Sequence, residues 1–220
     1  MDSPIIIALD GLSIEESVKI AEETKELVWG FKVHDLLIRE GFGVIAELKK
    51  YGKVFVDLKF HDIPATVEKE VTAVVSYGAD LITVHASGGS EMLKAAVQAG
   101  REKIAAVTIL TSLSQNETMS IYRHSSEEVV REFTKIAHEA GAKNIVCSPH
   151  EIQIVKEVAP GMKIITPGIR AQEDSRDDQG RTASAKEALA AGASLLVIGR
   201  PITKAPDSRV ALENILASLS

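Results

Sequence analysis

Cysteine, aromatic side chains and runs of basic residues are all scarce in this sequence, and each scarcity closes off a class of function. Cys147 is the single cysteine of 220 residues, so an internal disulfide is excluded. Aromatics make up 4% of the chain, too few for a platform on which nucleic-acid bases stack. Lys plus Arg total 25 against 31 Asp plus Glu, a net charge of -6, and no Lys/Arg run is present. Nucleic-acid binding is therefore not expected, although local charge still permits a small anionic ligand. No apolar stretch approaches the length of a membrane span. Met1-Asp2-Ser3-Pro4 runs straight into an apolar segment without the basic region of a secretory signal, so a cytoplasmic protein that contacts no membrane is expected. His34, His124, His138 and His150 are dispersed without the spacing of zinc ligands, and no metal site is expected from them.

What the sequence does contain is a steady alternation. Short, β-branched, nearly continuous apolar runs predict strands at Ile5–Asp10, Trp29–His34, Val54–Phe60, Leu81–His85, Ile104–Thr111, Asn144–Ser148, Lys163–Pro167 and Leu195–Gly199. Continuous apolar character marks strands buried on both faces, as in a parallel sheet. Amphipathic stretches lie between them. Ser13 with Glu16, and the run Ser125-Ser126-Glu127-Glu128, predict capping boxes that open helices. Gly78, Gly100, Gly141 and Gly192 each follow a helical stretch, where a left-handed residue commonly closes the helix. Eight strand–helix units over residues 1–220 predict a single (β/α)8 barrel domain. A doubly wound sheet would need a glycine-rich turn after the first strand; Asp10-Gly11-Leu12-Ser13 has no G-x-G-x-x-G.

In a barrel the functional residues cluster at the carboxyl ends of the strands. The polar candidates there are Asp10, Lys32, Asp57, Lys59, Asp62, His85, Thr111, Ser112, Ser148, Pro167 and Arg200. Asp57 and Lys59 are two apart on the third predicted strand, so both point to the same face, the interior mouth of the barrel. With Asp10 and Lys32 next door and Asp62 just past the strand end, they bring two lysines and two or three carboxylates into a small volume, an alternating array whose members hold one another ionised. The residues alone leave two readings open: a structural ion-pair network, or an array that sets a carboxylate against a substrate anion and an ammonium where negative charge develops. The polar stretch Gly168–Ala183, after the seventh predicted strand, is long enough to form a lid. His61 and His85 read as packing or hydrogen-bonding residues, and Cys147 as a small core residue.

The run Asp57-Leu58-Lys59-Phe60-His61-Asp62-Ile63-Pro64-Ala65-Thr66-Val67 matches the D-x-K-x-x-D-I-P-x-T-V segment of the orotidine 5'-monophosphate decarboxylases, and the chain resembles the short bacterial and archaeal type of that family. Further matches follow in order: Ala8-Leu9-Asp10, Phe31-Lys32-Val33, Val84-His85-Ala86, Leu110-Thr111-Ser112, Thr166-Pro167-Gly168-Ile169-Arg170, Asp178-Gln179 and Ile198-Gly199-Arg200. The resemblance implies a (β/α)8 barrel that converts orotidine 5'-monophosphate to UMP and carbon dioxide in pyrimidine biosynthesis, with no metal and no organic cofactor. It implies that Lys59 protonates C6 of the pyrimidine and that Asp57 faces the departing carboxylate. Lys32 and Asp10 would fix the ribose and the charge network, and Ser112 would read the pyrimidine edge. Pro167, Gln179, Gly199 and Arg200 would line the site and hold the 5'-phosphate. It implies a homodimer with shared sites, in which Asp62, Ile63 and Thr66 complete the partner's site. His34 departs from the family pattern, which favours a small residue there, and Gln172 competes with Gln179 for the phosphate. Magnesium-dependent 3-keto-gulonate-phosphate decarboxylases and hexulose-phosphate synthases also carry D-x-K-x-x-D. They place a magnesium-binding glutamate where this chain has Lys32, and they lack the Ile-Pro-x-Thr-Val continuation.

Overall fold

In the computed structural model, which describes residues 3–169 and 184–219, eight parallel strands close into a barrel in chain order. The elements run β1 (Ile5–Ala8), α1 (Ile14–Thr24), β2 (Gly30–Val33), α2 (Asp35–Glu40), α3 (Gly43–Leu48), β3 (Lys53–Phe60), α4 (Pro64–Ser76), β4 (Leu81–His85), α5 (Gly89–Gly100), β5 (Ile104–Val107), α6 (Gln115–Tyr122), α7 (Ser126–Glu139), β6 (Asn144–Val146), α8 (Ile152–Val158), β7 (Lys163–Thr166), α9 (Ala185–Ala191), β8 (Leu195–Ile198), α10 (Arg200–Thr203) and α11 (Ser208–Ser218). All eight predicted strands are present. Several stop short of their expected ends, β1 at Ala8 and β5 at Val107 among them. Beyond those points the chain still touches its neighbours, as where Leu9 N–H donates to Lys32 O at 3.0 Å and Thr108 N–H to Val146 O at 3.2 Å. The continuous ladder ends as the strands diverge at the mouth, and residues such as Asp10 and Thr111 project from that rim.

Two apolar layers hold the fold. An inner cluster of Ile6, Ala8, Phe55, Leu81, Ala105, Ile165 and Val197 fills the barrel. An outer cluster takes the alternate strand residues, such as Ile5, Ile7, Val54, Val56, Ile82 and Val84, and packs them against the helices. Each fully buried Ile, Val, Leu or Phe contributes about 1.5–3 kcal/mol relative to exposure, and both faces of every strand draw on this.

The helices start where the sequence places caps. Ser13 Oγ accepts Glu16 N–H at 3.2 Å while Glu16 Oε2 accepts Ser13 N–H at 2.8 Å. Ser125 and Glu128 repeat the motif on α7, and Ser114–Glu117 and Ser184–Glu187 add two boxes the sequence reading did not single out. Pro64 opens α4 as its first residue, where its missing N–H costs nothing. Gly78, Gly141 and Gly192 have positive φ as expected, but Gly100 does not: its φ is -102°, and Arg101 takes the left-handed turn at 53°. Gly100 is there for room instead. A Cβ on it would lie 2.5 Å from Ile104 Cδ1 and 2.9 Å from Val71 Cγ1.

Candidate active site

At the carboxyl end of the barrel a cavity of about 910 Å³ opens. Ala8, Phe55, Val146 and Val197, side chains of the inner layer and its edge, form an apolar floor. Above it stand Asp10, Lys32, Asp57 and Lys59 on one side and Pro167, Gly168, Ile169, Gly199 and Arg200 on the other. The volume falls within the range of small-molecule sites.

The charged side is tightly connected. Lys32 Nζ lies 2.6 Å from Asp10 Oδ2 and 3.4 Å from Asp57 Oδ2, and Lys59 Nζ lies 3.0 Å from the same Asp57 oxygen. One carboxylate thus sits between two ammonium groups. Burial by itself would favour the neutral form of Lys32, but Asp57 and then Asp10 outweigh it and raise its pKa above the ordinary 10.5. Burial likewise works against the Asp57 anion, yet Lys32 and Lys59, with hydrogen bonds from Lys59 and Thr83, bring its pKa below the usual 3.8. Lys32 and Asp57 are therefore both charged across the neutral range.

Simple strand alternation does not account for this arrangement. Val56 lies opposite Ile82 and Phe60 opposite Val84, so four steps of β3 are set against two of β4. Within this bulge Lys59 has a φ of 53°, the left-handed region, which for a residue with a Cβ costs on the order of 1–3 kcal/mol. Strain of that kind persists only where surrounding contacts hold it. Thr83, fully buried on β4, supplies two: its hydroxyl donates to Asp57 Oδ1 and accepts the Lys59 N–H, both at 2.9 Å. Thr83 was missed in the sequence, where its signal was a hydroxyl inside an otherwise apolar strand.

Two histidines flank the array. His34, the departure from the family pattern, lines the cavity and places Nδ1 2.7 Å from Asp57 O, which ties the end of β2 to β3. His85 lies against His61 with ring centroids 5.5 Å apart and the ring planes tilted by 39°. Burial, then His61 and Lys59, lower the His85 pKa from 6.5 and hold it neutral, and its Nδ1 has no hydrogen-bond partner among the described residues. Cys147 is buried and its thiol pKa is pushed well up, which fits a core residue.

The cavity collects Asp10, Lys32, Asp57, Lys59, Pro167, Gly199 and Arg200 from the sequence candidates. Asp62, Ile63 and Thr66 lie outside its walls. Asp62 is exposed with its carboxylate accepting the Ile63 N–H, and the Ile63 side chain is 66% exposed. Ser112 is also exposed and off the wall, while its neighbour Thr111 lines it. Gln172, Gln179 and most of the expected lid Gly168–Ala183 fall outside the described residues; Gly168 and Ile169 lie on the cavity wall. No group of three or more His, Cys, Asp or Glu suited to a metal ion occurs among the described residues, and none of their helices is long and apolar enough to cross a membrane.

Comparison with known proteins agrees with this geometry. A sequence model described as the Orotidine 5'-phosphate decarboxylase / HUMPS family matches residues 3–215. The chain is 42% identical over 225 residues to an orotidine 5'-phosphate decarboxylase of Thermobifida fusca, covering 100% of this chain and 97% of that protein. It is 41% identical over 226 residues to the enzyme of the same name from Dichelobacter nodosus, covering 99% of each. The crystal structure of orotidine 5'-phosphate decarboxylase from Lactobacillus acidophilus superposes with a TM-score of 0.83 at 34% identity, covering 100% of both chains. On the strength of the model match and these full-length relatives, the chain belongs to the Orotidine 5'-phosphate decarboxylase / HUMPS family.

Proposed function

We propose that this chain is a carboxy-lyase that converts orotidine 5'-monophosphate to UMP and carbon dioxide in pyrimidine biosynthesis, without metal or organic cofactor. The observation that carries the reading is the Lys32–Asp57–Lys59 array over an apolar floor, in a chain similar along its whole length to enzymes of that name. In this reading the substrate carboxylate lies beside the Asp57 anion, and the repulsion is relieved as the bond from C6 to the carboxyl carbon breaks. Carbon dioxide leaves and the electron pair stays on C6. The Lys59 ammonium stabilises that carbanion and transfers a proton to it, forming the new C6–H bond; solvent then reprotonates the lysine. Charge aimed at the developing carbanion is stabilisation gained in the transition state.

The remaining candidates take roles by position. Asp10 and Lys32 face the ribose, and Ser112, beside the wall residue Thr111, reads the pyrimidine edge. Pro167, Gly199 and Arg200 form the phosphate end; the family resemblance, not position, adds Gln179, with Gln172 as the competing glutamine. Barrel loops after the seventh and eighth strands often bind phosphate, and an arginine fork suits it. The magnesium-dependent branch of the family fits less well. Lys32 Nζ occupies the space between Asp10 and Asp57, and an ammonium there repels the divalent ion those carboxylates would have to hold.

The proposal includes a cytoplasmic homodimer with shared sites, in which Asp62, Ile63 and Thr66 complete the neighbour's cavity. Their position outside the cavity of their own chain, and the exposure of Ile63, favour this. Lys59→Ala and Asp62→Ala, each nearly inactive alone, should regain activity on mixing, up to about one intact site in four, because half of randomly paired dimers are mixed. No recovery in verified mixed dimers would place Asp62 in its own subunit's site or in none. The reaction itself is tested by the ultraviolet absorbance change of orotidine 5'-monophosphate with and without EDTA. Equal turnover in both is expected. No turnover would refute the function, and loss on chelation restored by Mg2+ would refute the metal-free mechanism.

A further inference from the structure

We propose that Thr83 is a positioning residue for this reaction: its single hydroxyl, donating to Asp57 and accepting from the Lys59 backbone, holds the β3 bulge in the one form that brings the Lys59 ammonium to Asp57. The inference rests on the decarboxylase reading above. It starts from a mismatch in the sheet. Between the pairs Val56–Ile82 and Phe60–Val84, β3 carries two more residues than β4, so the regular ladder cannot serve every backbone group in between. Lys59 falls in that gap with its φ at 53°.

Thr83 is the only β4 residue between the two pairs. Alternation turns it towards the barrel interior, since Leu81 belongs to the inner cluster while Ile82 and Val84 belong to the outer one. Its side chain thus stands where a strand carbonyl would accept the Lys59 N–H in a regular ladder, and it does accept it, at 2.9 Å. A hydroxyl has one proton, and here that proton points to Asp57 Oδ1, also at 2.9 Å. The other Asp57 oxygen is left for Lys32 and Lys59. One buried group therefore sets both the backbone from which the proposed proton donor projects and the orientation of the carboxylate that pairs with it. Valine has the same shape and neither hydrogen bond; serine has both hydrogen bonds and lacks the methyl group.

Steady-state kinetics of Thr83→Val and Thr83→Ser decide the matter, with thermal unfolding to confirm that each variant is folded. Misplacing a reacting group by about an ångström costs roughly 100-fold, so kcat of Thr83→Val should fall by about that factor while KM changes little. Thr83→Ser should restore most of the rate. A Thr83→Val enzyme with near-native kcat, or a serine variant as impaired as the valine one, would overturn the proposal. If Thr83→Val does not fold, Thr83→Ala takes its place under the same criteria. Crystal structures of the variants give a readout independent of turnover: Lys59 Nζ should move out of contact with Asp57 in Thr83→Val and stay in Thr83→Ser. An unmoved lysine in Thr83→Val would sink the inference. Should the wild-type protein show no turnover of orotidine 5'-monophosphate, the function reading fails, and the crystal structures still decide the role of Thr83.

Discussion

The two sides of the barrel mouth differ in what lines them. On the β1–β4 side the polar groups are joined before any ligand arrives: Asp57 is 14% exposed, paired with two lysines and hydrogen-bonded to a buried threonine, on a strained backbone. On the β7–β8 side the wall holds Pro167, Gly168, Ile169, Gly199, Thr203 and Lys204, with an exposed Arg200 at its edge. The first side keeps charges fixed in a partly dry place, the setting in which charges can stabilise a reacting atom without reorganising. The second is fit to take hold of a solvated anion. In the proposed reading this is a division of labour: chemistry on the rigid side and grip on the accessible one.

The hardest way to break that comparison is Lys59→Ala. It removes the proposed proton donor and one of the two ammonium partners of Asp57 while leaving the apolar layers intact. Turnover should fall by at least about 1000-fold in a protein with native-like circular dichroism. A rate within tenfold of wild type, a barrier change of about 1.4 kcal/mol, would contradict the role.

Arg200→Ala probes the other side. Losing a charge-assisted contact should weaken UMP binding by about 1.5–3 kcal/mol, read by calorimetry. Uridine affinity should change much less, and equal losses for both ligands would show that Arg200 does not touch the phosphate.

The third test uses pH and sharpens the account of the rigid side. Asp57 has a lowered folded pKa, so its contribution is present above 3.8 and is lost as pH falls through the folded value. Lys32 has a raised one, so its contribution is present below 10.5 and is lost as pH rises through the folded value. Neither bends the stability curve near neutrality. His85 does: its folded pKa is lowered, so the unfolded chain takes up the proton first and stability declines as pH drops below 6.5. Thermal midpoints measured from pH 7.5 to 5 should show that decline, and His85→Gln should flatten it. An identical slope in the variant would mean that other groups cause it.

The smallest effect serves as the control. Ser125 caps α7, and no cavity-lining residue belongs to that helix. Ser125→Ala should cost about 1 kcal/mol of stability in urea unfolding and leave kcat unchanged.

Much of this was legible in the sequence, for physical reasons. Strands buried on both faces must be apolar throughout, so all eight stood out, and their number pointed to the barrel. Asp10, Lys32, Asp57 and Lys59 were conspicuous as charges at the ends of apolar runs, where only pairing or use repays their desolvation. What could not be read depends on contacts between segments distant in sequence. The bulge at Lys59 exists only once β4 lies beside β3, and the room that makes position 100 a glycine is set by Ile104 and Val71, while the positive φ expected there falls on Arg101. Thr83 gains its meaning only from the bulge it fills. Asp62 and Ser112 stood out as polar residues at strand ends, Ile63 and Thr66 were drawn from family resemblance, and one chain's cavity collects none of the four.

The division of labour is tested most directly by single-turnover rates at saturating and at limiting orotidine 5'-monophosphate for Lys59→Ala and Arg200→Ala. The Lys59 deficit should persist in full at saturation, because it lies in the chemical step. The Arg200 deficit should be large at limiting substrate and largely vanish at saturation, because it lies in binding. A Lys59→Ala enzyme rescued by saturating substrate, or an Arg200→Ala deficit that saturation leaves untouched, would contradict the assignment of chemistry to one side of the mouth and grip to the other.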